Sequence, residues 1–162
     1  FHRLETVVIG SRKSEAMETL KDIHLLLVDD DSACRIALGE FFEREGSVVA
    51  MASSGTEALQ RIRSEKIDFS VMDVNMPGLT GPEVLLRLRR EMGSEAIPPT
   101  LLMSSDRSAE SLARTLLGFH VGFLPKPIQL TTLRRSVVQM LVRSQWPPLP
   151  GLGNVPLGLP EA

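Results

Sequence analysis

The chain has 162 residues, 43% of them hydrophobic and 23% charged, with a formal net charge of -2; this suits one globular domain with or without tails. Those values exclude wholesale disorder, a coiled coil and a collagen-like rod, and the near-neutral balance carries no global field of the kind that marks a nucleic-acid or membrane-surface binder. One cysteine, Cys34, rules out an intramolecular disulfide framework, scattered histidines (His2, His24, His120) offer no spaced metal cluster, and no apolar run approaches the about 20 residues that span a bilayer, so a cytoplasmic setting is expected.

Residues 1–22 read as an N-terminal extension, with a short strand from Thr6 to Ile9 and one or two helical turns from Ser14 to Leu20. From Ile23 the pattern becomes regular. His24 to Val28 is a nearly continuous apolar run closed by Asp29-Asp30-Asp31, as expected of a strand buried on both faces. Residues 32–45 carry Ile36, Leu38, Phe41 and Phe42 at helical spacing until Gly46 stops them. Ser47 to Ala52 is a second strand. Ser54 to Lys66 is a second helix, with Ala58, Leu59 and Ile62 on one face and Ser54 as its cap. Phe69 to Met72 is a third strand with Asp73 at its end, followed by the Pro- and Gly-containing loop from Asn75 to Gly81. Val84, Leu85 and Leu88 begin a third helix. Thr100 to Met103 is a fourth strand, followed by Ser104-Ser105-Asp106 and a helix through Leu117. Val121 to Leu124 is a fifth strand, and after Pro125-Lys126-Pro127 a stripe of Leu130, Leu133, Val137, Met140 and Leu141 marks a fifth helix.

Five strands alternating with five helices predict parallel pairing through right-handed crossovers. The expected domain, residues 23–145, is an α/β flavodoxin-like fold: five βα units making a doubly wound, five-stranded parallel sheet with helices on both faces. Residues 146–162 contain five Pro, three Gly and a single charge, Glu161, a composition that reads as a tail or linker.

Chemistry in such sheets gathers at the carboxyl ends of the strands. Those ends carry Asp29, Asp30 and Asp31 after the first strand, Asp73 after the third, Ser104 and Ser105 after the fourth and Lys126 after the fifth. Carboxylates crowded into one pocket repel unless a cation sits among them, and an all-oxygen ligand set suits Mg2+. Together with an ammonium, a hydroxyl and a free carboxylate, this is a site for a phosphoryl group held on an aspartate.

The pieces LLLVDDDSACR, VMDVNMPGLTG, LLMSS and GFLPKPI, in this order and at these separations, resemble the receiver domain of two-component response regulators, over roughly three-quarters of the chain. The resemblance implies that Asp73 is the phospho-acceptor, that Asp29 and Asp30 form the acidic pair with Asp30 the more direct Mg2+ ligand, and that Asn75 completes the metal site through its main-chain carbonyl. It makes Ser104 the switch hydroxyl, Lys126 the phosphoryl-pairing lysine, Lys126-Pro127 a cis peptide bond and Phe123 the aromatic that moves with the switch. Asn75 and Asp106, each two residues beyond a site residue, are expected to tune loss of the phosphoryl group to water. The implied partners are a sensor histidine kinase or phosphotransfer protein and an output partner or output domain; a homodimer is also common in the family. No membrane or direct nucleic-acid contact is expected. Phe123 stands where Tyr is commoner, Pro125 precedes the lysine, and Thr80 replaces a residue that is often acidic or an amide.

Blander readings stand beside these. Asp31 or Ser32 caps the first helix, Ser104 and Ser105 cap the fourth, Phe123 is plain core, Cys34 is a small buried residue, and Arg87, Arg89, Arg90 and Lys66 lie on solvated faces. Two other functions compete: a receiver fold that docks partners without phosphate, and a haloacid-dehalogenase-like phosphohydrolase, which lacks the acidic motif expected after Lys126. Neither the leading reading nor the docking reading makes the chain an enzyme beyond its own phosphorylation and dephosphorylation. The DDDSA turn has no glycine cluster for a dinucleotide pyrophosphate.

Overall fold

The structure, a computed structural model, describes residues 20–105 and 109–145. The elements follow in strict alternation: β1 (His24–Val28), α1 (Ser32–Arg44), β2 (Val48–Ala52), α2 (Gly55–Ser64), β3 (Phe69–Asp73), α3 (Gly81–Met92), a short 3-10 turn (Ser94–Ala96), β4 (Thr100–Ser104), α4 (Ala109–Thr115), β5 (Val121–Pro125) and α5 (Leu130–Gln145). The five strands form one parallel sheet in the order β2-β1-β3-β4-β5. The fold is the expected doubly wound α/β sheet. The expected strand and helical turns over residues 1–19, the expected site residue Asp106 and the tail 146–162 lie outside the described residues.

Alternation within β1 explains why the sheet is covered twice. Leu25 and Leu27 point to one face, where they join Phe42 of α1 and Leu133, Val137 and Met140 of α5. Leu26 and Val28 point to the other, among Ala58, Leu59 and Ile62 of α2, Val84, Leu85 and Leu88 of α3, and Leu116 after α4. A strand buried on both faces must be apolar at consecutive positions, which is why HLLLV shows no alternation. β3 and β4 are buried at every residue, whereas the edge strand β2 is buried only at Ala52.

Element ends are set by local chemistry. Asp31 caps α1 by accepting from the Ala33 and Cys34 main-chain N–H groups. Gly46, at φ +93°, turns the chain from α1 into β2 in a conformation that other residues rarely adopt. Ser54 accepts from Glu57 N–H at the start of α2, as the sequence suggested. α2 ends at Ser64, two residues before the expected Lys66, because Glu65 is already extended (φ -120°, ψ 153°). α3 starts at Gly81, a turn earlier than the apolar stripe from Val84 suggests. There Thr80 and Glu83 form a reciprocal capping box with Pro82 in the first turn. α4 ends at Thr115, and Gly118 at φ +86° follows the turn toward β5.

Candidate functional site

All five strands point the same way, so their carboxyl ends share one edge. β1 and β3 are neighbours, although β2 and α2 lie between them in sequence. This is the place where the winding reverses and a crevice opens between the flanking helices. Asp29, the residue after β1, and Asp73, the last residue of β3, face each other across it, both buried. One carboxylate oxygen from each of Asp29, Asp30 and Asp73 lies within 4.8 Å of the others; Asp30 is exposed and the other two are buried.

Lys126 follows β5, two strands from β3. Its long stem crosses the end of β4 and brings Nζ to 2.9 Å from Asp73 Oδ2 and 3.6 Å from Asp29 Oδ2. Burial pulls the lysine pKa down, but the hydrogen bond to Asp73 and the charges of Asp29 and Asp73 outweigh it, and the net shift is upward from 10.5. The Lys126 main-chain N–H donates to the Ser104 carbonyl at 2.8 Å, and the Lys126-Pro127 peptide bond is cis. Ser104 is buried at the end of β4, one residue beyond the Asp73–Met103 pair of the ladder.

The turns behind the carboxylates are pinned. Asp29 Oδ1 accepts from Asp31 N–H at 2.9 Å, and Asp73 Oδ1 from Asn75 N–H at 3.1 Å. Gly81 lies under Asp73 so closely that an added Cβ would sit 2.6 Å from the Asp73 carbonyl oxygen. Asp29 Oδ2 is buried and has no hydrogen-bond partner. An orphaned carboxylate oxygen in a three-carboxylate cluster, with only one ammonium beside it, is a donor set that fits a hard divalent cation.

A family profile for the response regulator receiver domain matches residues 25–138. The chain belongs to the response regulator receiver family. Its relatives include response regulator MprA of Mycobacterium tuberculosis, 35% identical over 126 residues, 76% of this chain and 52% of that protein. Transcriptional regulatory protein AfsQ1 of Streptomyces coelicolor is 33% identical over 124 residues and is likewise covered over 52% of its length. The chain thus spans about half the length of these regulators. Among solved structures, the receiver domain of a Francisella response regulator superposes with a TM-score of 0.67 at 28% identity, covering 76% of this chain and 99% of that one. The Vibrio cholerae chemotaxis protein CheY4 gives 0.65 at 26% identity, covering 74% and 98%.

The receiver domain brings together Asp29, Asp30, Asp73, Lys126 and, on the adjoining strand end, Ser104; Asn75 adds its N–H and is itself exposed. Phe123 on β5 is half-buried and packs against the α2–α3–α4 core, as do Phe119 and Leu112. No helix among the described residues is long and apolar enough to cross a membrane.

Three contributors went unread in the sequence. Thr80 departs from the family pattern, and the spacing Thr80-x-x-Glu83 is itself a cap signature. Cys34 and Arg35 lie one turn into α1 and fold back on Asp29. The thiol stands beside the Asp29 carboxylate, and Arg35 Nη1 donates to the Asp29 carbonyl at 2.6 Å.

Proposed function

We propose that this receiver domain accepts a phosphoryl group on Asp73 from a phosphohistidine donor, a sensor histidine kinase or phosphotransfer protein, and thereby changes a partner-binding surface. The carrying observation is the convergence of Asp29, Asp30 and Asp73 within 4.8 Å of one another with Lys126 Nζ against Asp73. An Asp73 carboxylate oxygen bonds to phosphorus as the P–N bond of the donor breaks, and the departing imidazole nitrogen keeps that electron pair and takes up a proton. Asp29, Asp30, Asp73 and the Asn75 carbonyl would hold Mg2+, which when bound supplies positive charge against the phosphoryl oxygens. Lys126, protonated well above neutral pH, offers a fixed ammonium on the β5 side of Asp73. Ser104 offers a hydroxyl at the end of β4, and Phe123 is the half-buried ring on the next strand that a shift there would reach first. Asn75 at the rim, with Asp106, would orient the water that later removes the phosphoryl group.

The phosphohydrolase alternative finds no support in the site: from Pro127 to Gln145 the chain has no acidic residue, and receiver domains are not classical enzymes. An output domain or separate output partner would read the change; 1–22 would be an extension, 23–145 the domain and 146–162 a linker, except that Leu20, near the end of the extension, packs into the domain core.

The test is incubation with acetyl phosphate and Mg2+. The unaltered chain should take up a single phosphoryl group that hydroxylamine removes, as it does from an acyl phosphate. Asp73→Asn should take up none, and label retained in that variant would remove Asp73 from the role. A chain that binds no Mg2+ by calorimetry would instead fit a docking module that works without phosphate.

A further inference from the structure

We infer that Arg35 is a positioning residue for the divalent-cation site, an inference that rests on the proposed function. Its guanidinium is half-buried and donates from Nη1 to the main-chain carbonyl of Asp29 at 2.6 Å, a short charge-assisted bond. That carbonyl belongs to the residue whose carboxylate has a buried oxygen with no hydrogen-bond partner and whose next neighbour, Asp30, carries the exposed carboxylate of the cluster. The bond therefore fixes the peptide that joins the two acidic side chains. Helix electrostatics do not explain a cation here. Arg35 sits in the first turns of α1, where the macrodipole favours negative charge, and the first turn carries no acidic residue. Nor does Arg35 form an ion pair of 4.0 Å or less with any carboxylate among the described residues. Its side chain's partner among the described residues is the Asp29 carbonyl, so its contribution is to hold the turn.

Two physical effects of removing Arg35 have opposite signs, and this makes the role testable. By charge alone, deleting a cation beside three carboxylates tightens binding of another cation. Loss of the bond that orients the turn loosens it, by about ten- to a hundredfold if Arg35 behaves like other residues that support metal ligands. Mg2+ titrations by calorimetry on the full chain, unaltered and as Arg35→Met and Arg35→Lys, separate the two. The expected result is a Mg2+ dissociation constant raised about tenfold or more in Arg35→Met, with Arg35→Lys between it and the unaltered chain, because an ammonium keeps the charge but reaches the carbonyl less well. Equal or tighter binding by Arg35→Met overturns the positioning role. If that variant does not fold, Arg35→Lys decides alone, and an unchanged constant there overturns it. Absence of Mg2+ binding by the unaltered chain overturns the parent reading as well, whereas binding by the unaltered chain with no loss in the variants overturns this inference only.

Discussion

Cys34 shows how one residue records the field of the site. Burial pushes its thiol up from 9.0 to about 11, and the hydrogen bond to Asp29 and that residue's charge push the same way. The folded chain therefore keeps a proton that the unfolded chain releases from about pH 9 upward. The associated stability is fully present below 9.0 and is lost as pH rises through about 11. Lys126 has the same sign, its folded pKa lying above 10.5, so alkali is the destabilising side for both. Alkylation of Cys34 by iodoacetamide in the folded chain should be slow at neutral pH and steepen only as pH approaches 11. A neutral-pH rate equal to that of the urea-unfolded chain would contradict this. Asp29 and Asp73 were legible in the sequence because each is an acid that closes an apolar strand. The contacts of Cys34 and Arg35 were not, since they arise only when the first turn of α1 folds back over the end of β1.

At the scale of the element, α3 is the clearest case of structure that apolar spacing under-reads. The stripe Val84, Leu85, Leu88 marks the buried face but says nothing of the turn before it. That turn is built by Thr80 Oγ1 accepting from Glu83 N–H while the Glu83 carboxylate accepts from Thr80 N–H at 2.8 Å. Thr80→Ala should lower stability by about 1 kcal/mol, as loss of an N-cap does, and Thr80→Ser should restore most of it. The urea midpoint reads both, and a midpoint unmoved by the alanine would show that the cap does not hold the helix. The far end of α2 was over-read for the converse reason. Glu65 and Lys66 are good helix formers, but the chain must straighten there for Asp68 to accept from His24 N–H at 2.9 Å and for Phe69 to pair beside Leu25.

For the molecule as a whole, β/α alternation made a parallel sheet legible, and the position of the chemistry followed from it. Strand order was not legible from alternation alone, because periodicity does not say which strand ends become neighbours. The start of the packed unit was also hard to read. Leu20 belongs to no periodic run and falls within the expected extension, yet it is fully buried in the α1–α5 core, and its carbonyl accepts from Ser47 Oγ at 2.9 Å. Leu20→Ala should cost about 2–5 kcal/mol, as for other leucines removed from a core. Chemical denaturation measures it, and a loss below about 1 kcal/mol would place Leu20 outside the core in solution.

The main-chain bond from Lys126 N–H to the Ser104 carbonyl at 2.8 Å makes the ends of β4 and β5 a single lever. The base of the lysine stem is thus tied to β4 through the main chain, while its ammonium is held from the other end by Asp73 and Asp29. A shift of the serine end of β4 therefore moves the root of the lysine and leaves its stem to bend so that the ion pair with Asp73 survives.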